Sequence, residues 1–413
     1  MSHNPVPPGF GKSRHRFVIA ALLLAAHFSV GLNILSASPI LPLAIDEYEI
    51  NRTAAGLLIA LPLLAAAALG LPGGMLVSRV GLRKSFIIGW ASVGILSFSV
   101  LAPNFVTLLL LRSTIGLGFA FMLTATGPLL MQWFQPKEIT IMNALTTAAL
   151  SLGIAFSVAI AAPLSEIISW QMSLTIFALP GIAGLIAWIL LGRESCSTPT
   201  TGRAITFEEV GNLLRSRSVV LLLAADAGIL VQYTAFTGWL PTFFNEHRGI
   251  SLSEAGFITG ILPLVGVFAV LAGGVIALKV TSPKVIFGTS GVMAGLGGLG
   301  TFLFAEPALI YPSIIVMGVG SWLYVPALLT LPMRMRGMTP EMVAVVWGSF
   351  LTFSGFAMFI APIFVGAFRD VTGSFFPGLT IAALASWALL MAGFMMPRNV
   401  SEPLIQTGHI TGD

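Results

Sequence analysis

Ionisable side chains inside long apolar stretches are where this sequence holds its chemistry. Each costs roughly 2.5–3.5 kcal/mol at a helix centre on insertion scales, so it needs a partner or a wet cavity. Two charged side chains qualify, Arg112 and Asp226, with His27 as a third ionisable group at depth. A guanidinium is a planar fork that fits a carboxylate through two parallel hydrogen bonds, so Arg112 reads as a binder of an anionic substrate or a modulator of a proton site. The plainer alternative is an arginine satisfied by backbone carbonyls. A carboxyl deprived of water can be neutral in one half of a cycle and charged in the other, so Asp226 reads as a carrier of a coupling proton. Its alternative is a cap near a helix start. His27 is a proton carrier or hydrogen-bond donor, or a buried packing histidine. Asn33, Gln232, Tyr233, Trp322, Tyr324 and Trp347 complete the candidate binding wall. Tyr and Trp also serve as interfacial belts or packing groups.

The elements that hold these residues follow from composition. Of 413 residues, 56% are hydrophobic and 9% charged, with mean hydropathy +0.96. Soluble domains carry roughly 25% charged residues. The composition excludes a soluble enzyme, a nucleic-acid binder and a disordered scaffold. Long apolar runs, rather than alternating short ones, predict an all-α membrane protein. Charged and turn-rich breaks give twelve transmembrane helices at 17–42, 54–77, 85–102, 105–131, 139–163, 170–191, 218–244, 254–277, 284–304, 308–332, 342–366 and 375–396. Arg112 then lies ~10 Å inside one end of the fourth run and Asp226 ~12 Å inside one end of the seventh. Pro39, Pro42, Pro241, Pro263, Pro326 and Pro332 sit in or beside runs as kinks, for gating or for packing.

With the N-terminus in the cytoplasm, inner segments hold sixteen of the twenty Lys and Arg. Outer loops hold Arg52, Arg248 and Arg369 beside eight acids. The positive-inside rule therefore places both termini and the 192–217 connection in the cytoplasm. The uncharged stretch from Phe17 is too long for a cleaved signal and reads as a retained first helix. The domain reading is a tail 1–16, a six-helix bundle 17–191, a linker 192–217 with a short amphipathic helix at Phe207–Arg217, a second bundle 218–396, and a tail 397–413. Cys196 is the one cysteine, so no intrachain disulfide or cysteine metal cluster is expected.

The halves repeat at a near-constant offset. Gly73-Gly74 pairs with Gly273-Gly274, Arg79 with Lys279, Lys84 with Lys284, and Gly116-Leu117-Gly118 with Gly318-Val319-Gly320. After the second run comes Gly74-x-x-x-Ser78-Arg79-x-Gly81-x-Arg83-Lys84, and on the fourth run Arg112-x-x-x-Gly116-x-Gly118. Gly366 to Gly373 adds a third likeness. Together with the duplicated layout, these resemble the major facilitator superfamily. Stretches around Gly31-Leu32-Asn33, Ser38-Pro39 and Trp239 to Gly256 are similar to its cyanate-permease-like and organic-anion symporter branches. Ile34, Leu35 and Ser36 stand where the cyanate pattern has an Arg soon after the Asn. Ser78 stands where the superfamily has an Asp that latches the halves on the cytoplasmic side.

The resemblance implies two pseudo-symmetric six-helix bundles rocking about a cavity lined by the first, fourth, seventh and tenth helices. It implies a secondary transporter, working as a monomer in an inner membrane, that moves a small anionic solute with protons. Gly74, Ser78, Arg79, Gly81, Arg83, Lys84, Gly116 and Gly118 become the conformational motif. No cofactor, metal, nucleic-acid partner or enzymatic activity is expected, because no phosphate loop, zinc motif or nucleophile elbow appears. The other readings are a proton-coupled exporter of an apolar compound and a non-transporting sensor or assembly component.

Overall fold

The computed structural model describes residues 14–70, 72, 77, 80–193, 207–280, 282–335 and 340–396. The helices are α1 His15–Ile34, α2 Leu41–Tyr48, α3 Arg52–Ala68, α4 Leu82–Gly94, α5 Phe105–Trp133, α6 Pro136–Ile167, α7 Trp170–Leu191 and α8 Phe207–Arg215. They continue as α9 Arg217–Arg248, α10 Leu252–Lys279, α11 Pro283–Leu303, α12 Pro307–Leu323, α13 Val325–Arg334, α14 Pro340–Thr372, α15 Phe376–Ala385 and α16 Trp387–Met395. Among the described residues eleven spans are long and apolar enough to cross a membrane, and α3 is a shorter apolar helix that brings the layout to twelve. Among the described residues there is no strand.

Capping chemistry sets many helix starts. Asn51, Asn104, Ser169 and Ser251 each accept a backbone N–H three residues on. Such a cap stabilises a helix by about 1 kcal/mol. The cap pair Asn51 and Ser251 repeats the internal duplication. At the opposite end of the molecule Glu138 closes a capping box on Gln135 and pairs with Arg16 at 3.1 Å. Among the described residues that end carries Arg16, Arg83, Lys84, Arg193, Arg215 and Arg217, and it is called the basic end below. The end bearing Glu47, Glu166, Glu246 and Asp370 is the acidic end.

Several apolar runs that hydropathy reads as single helices are interrupted. The first stops at Ile34, passes through a 3-10 turn at Ser38–Ile40 and restarts as α2. Pro39 and Pro42 withhold the amide hydrogens that would continue it. The tenth breaks at Tyr324, just before Pro326, and the last at Ser386, whose hydroxyl donates back to Ala383 O at 2.7 Å. Such back-bonding bends helices. Close approach is bought by small residues: a Cβ added at Gly116 would lie 2.0 Å from Pro62 O, so α5 runs against the backbone of α3.

The halves meet along α6 against α10 and α3 against α14. Buried apolar residues form one continuous core across both halves towards the acidic end, from Ile40 and Leu58 to Trp239, Phe243 and Val365. Towards the basic end the core divides. One cluster, including Ile19, Phe86 and Leu129, belongs to the first half, and another, including Leu222, Phe287 and Leu331, to the second. Among the described residues the halves thus share one apolar core towards the acidic end and keep separate cores towards the basic end.

Candidate functional site

Arg112 is fully buried on α5, and its guanidinium is held by protein oxygens. Nε donates to Leu58 O at 2.6 Å, Nη2 to Asn33 O and Ile34 O at 3.2 Å each, and Nη1 to Ser36 Oγ at 3.4 Å. These acceptors share a cause. Leu58 O has no helical partner because Pro62 stands four residues on, and Asn33 and Ile34 supply the last carbonyls of α1 before its break. Arg112 thus ties a proline kink and a helix end together. Asn33 Nδ2 donates to Ser29 O and to Phe177 O on α7, both at 2.8 Å. His27 Nδ1 donates to Leu23 O of its own helix at 3.0 Å.

Asp226 is 7% exposed on α9. Its Oδ1 accepts from Tyr324 Oη at 2.9 Å and its Oδ2 from Ser354 Oγ. Among the described residues the ion pairs are Arg16–Glu138, Arg52–Glu246 and Arg369–Glu246, so Asp226 has no cation partner there. The carboxyl joins α9 to α14 and to the α12–α13 joint where Tyr324 sits. Trp347 Nε1 fastens α14 to α13 by donating to Leu329 O at 3.3 Å.

Tyr233 and Trp322 meet edge to face, ring centroids 5.3 Å apart. Gln232, their neighbour in sequence, turns away and donates to Ala294 O on α11 at 2.8 Å. One turn along α9 from Tyr233, Ser38 Oγ donates to Thr237 O and, at 3.1 Å, to Gly238 O. Pro241 leaves Thr237 O without its helical partner, and Ser38 reaches it from the other half.

A charged clasp covers the acidic end. Glu246 of the second half accepts from Arg52 of the first half at 2.8 Å (Nη2) and 3.2 Å (Nε), and from Arg369 at 3.3 Å. Asp370 accepts from Thr53 N at 2.9 Å, from Thr53 Oγ1 and from Arg52 N at 3.3 Å, capping α3 from across the interface. Partly exposed ion pairs contribute about 0–1 kcal/mol each. Glu246→Gln is therefore expected to shift the open population by up to about fivefold. Distance measurements between spin labels at Asp46 and Val371 would show it as added long distances. An unchanged distribution would remove the clasp from the gate.

The comparisons with known proteins decide the family. The profile of the Major Facilitator Superfamily matches residues 23–362. The chain belongs to the Major Facilitator Superfamily. It is 24% identical to the hexuronate transporter of Bacillus subtilis over 282 residues, 65% of each chain. It is 26% identical to the probable L-galactonate transporter of Escherichia coli over 296 residues, 65% of this chain and 64% of that one. With the probable galactarate/D-glucarate transporter of Bacillus subtilis it shares 23% over 376 residues, 78% of this chain and 80% of that one. The match thus spans just under two thirds of the first two relatives. A crystal structure of a bacterial homolog to the human lysosomal transporter Spinster has the same fold, with TM-score 0.72 and 16% identity over 93% of this chain and 94% of that one.

Fold and relatives are those of superfamily transporters, not of enzymes. Of the superfamily loop, Gly74, Ser78 and Arg79 lie outside the described residues. Gly81 turns the chain with φ 88°, a conformation glycine adopts freely, and leads into α4. Arg83 donates to Ile189 O at 3.0 Å, and Lys84 is exposed. On α5, Gly116 and Gly118 face the backbones of α3 and α4. Thus Asp226 is brought to Tyr324 and Tyr233 to Trp322, while Asn33 and Gln232 turn into their own halves. Sequence reasoning missed Ser38, Thr237 and Ser354 as site residues. Pro241, four residues after Thr237, is the signal that marks the freed carbonyl.

Proposed function

We propose that this chain is a secondary carrier of a small organic anion of the sugar-acid class, moved by alternating access and coupled to protons. The observation that carries the reading is the core that is continuous at the acidic end and divided at the basic end, as a rocking carrier requires. The basic loops support a cytoplasmic position for the end with the divided core, the end at which the halves would part. In this reading bundles 17–191 and 218–396 rock about the 192–217 linker, with tails 1–16 and 397–413 in the cytoplasm of a cell whose inner membrane holds the protein. One chain carries the whole path, so the working unit is a monomer. The cargo class is supported by the hexuronate, L-galactonate and galactarate/D-glucarate transporters among the relatives. Asp226, buried without a cation among the described residues and held by two hydroxyls, is the proton's site.

Uptake into proteoliposomes tests this reading. A hexuronate or L-galactonate should enter faster when the outside is made acidic, and a protonophore should abolish the accumulation. Transport of hydrophobic amines with no uptake of any sugar acid would overturn it.

A further inference from the structure

Among the buried polar side-chain atoms that lack a well-formed hydrogen bond, three lie together where α9 meets α12. Tyr233 Oη, Trp322 Nε1 and Thr237 Oγ1 have no well-formed hydrogen bond, although Tyr233 Oη lies beside the other two. Their residues are 4%, 9% and 0% exposed. A buried polar group left unpaired costs about 1–3 kcal/mol, and native structures leave few. Here three stand side by side.

Their place is informative. Tyr233 and Trp322 belong to the core that is continuous across the halves, whereas Tyr324, two residues on, belongs to the basic-end core of the second half. The cluster therefore lies at the level where the halves part, beneath the Ser38–Thr237 closure. The indole is also seated by design of the backbone. A Cβ added at Gly266 would come within 2.5 Å of Trp322 Cδ1, so only glycine leaves α10 flat enough for the ring. Tyr233 props the ring from the other element at a 90° angle.

We propose that Tyr233 Oη, Trp322 Nε1 and Thr237 Oγ1 form a charge-free subsite for the hydroxyl groups of a polyhydroxy carboxylate cargo. This rests on the carrier reading above. The donor set selects hydroxyls. Tyr and Thr each donate and accept, and the indole only donates, which complements neighbouring hydroxyls that do both. A carboxylate, an acceptor only, would leave the two hydroxyls' acceptor capacity unused. Arg112, the buried cation of the first half, already has carbonyl partners.

The test is binding of L-galactonate and of hexanoate, a six-carbon carboxylate without hydroxyls, to the purified full chain by calorimetry. Wild type should prefer galactonate. Trp322→Phe, Tyr233→Phe and Thr237→Val should each lose at least about tenfold in galactonate affinity, because a site built for hydroxyls depends on each partner. Hexanoate binding should be unchanged. Gly266→Ala, which removes no polar atom but displaces the indole, should lose the preference too. The melting temperature of the ligand-free Tyr233→Phe and Thr237→Val variants should not fall, since both keep the shape of the side chain and lose no well-formed protein hydrogen bond. Wild-type galactonate affinity in the variants would overturn the subsite, as would lower melting temperatures with unchanged affinity, the mark of a water-filled packing cluster. Hexanoate binding without galactonate binding in wild type would overturn it alone. A wild type that binds no carboxylate would overturn both the subsite and the sugar-acid carrier.

Discussion

Arg112→Ala should lower the stability of the protein by several kcal/mol, and should do so before it changes affinity for cargo. The substitution strands the carbonyls of Leu58, Asn33 and Ile34 in a dry interior. Each stranded group costs about 1–3 kcal/mol. The gain from no longer burying a guanidinium offsets part of that, which sets the net near 3–5 kcal/mol, the usual scale for removing one member of a buried charged network. Arg112→Lys keeps the charge but loses the fork, so its melting temperature in detergent should fall between wild type and Ala. A stable Arg112→Ala protein that no longer binds a sugar acid would return Arg112 to the direct role its sequence position first suggests.

Asp226→Asn should abolish accumulation against a gradient while exchange of cargo across the membrane persists. Asparagine keeps an oxygen for Tyr324 Oη, and the Ser354 hydroxyl can rotate to accept from the new amide, so the joint between α9, α12–α13 and α14 stays closed. What is lost is a group that can take up and release a proton. Uptake by energised proteoliposomes should fall to the level at which inside and outside concentrations match. Counterflow in vesicles preloaded with the same sugar acid should continue. Undiminished accumulation in a folded Asp226→Asn carrier would exclude the proton role.

Most of the layout is legible in the chain itself. The span 170–191 coincides with α7 at both ends because Ser169 caps it and Gly192 follows it. The run 17–42 is misread as one helix because hydropathy sums side chains and is blind to the missing amides of Pro39 and Pro42. The site is less legible. Asp226 and Tyr324 are 98 residues apart, and no local pattern announces their bond. Arg112 was recognisable as a buried cation, but its acceptors are backbone oxygens, which leave no residue type to read. Only Pro62 hints at the partner, since a proline inside a helix always releases the carbonyl four residues before it.

That rule links two kinks with different fates. Leu58 O, released by Pro62, is held by Arg112 within one half, so it stays dry whichever way the halves lean. Thr237 O, released by Pro241, is held by Ser38 of the other half. When the acidic end parts, that oxygen loses its donor, and water is the partner that follows the opening cleft. Each turnover thus wets and dries the middle of α9 once.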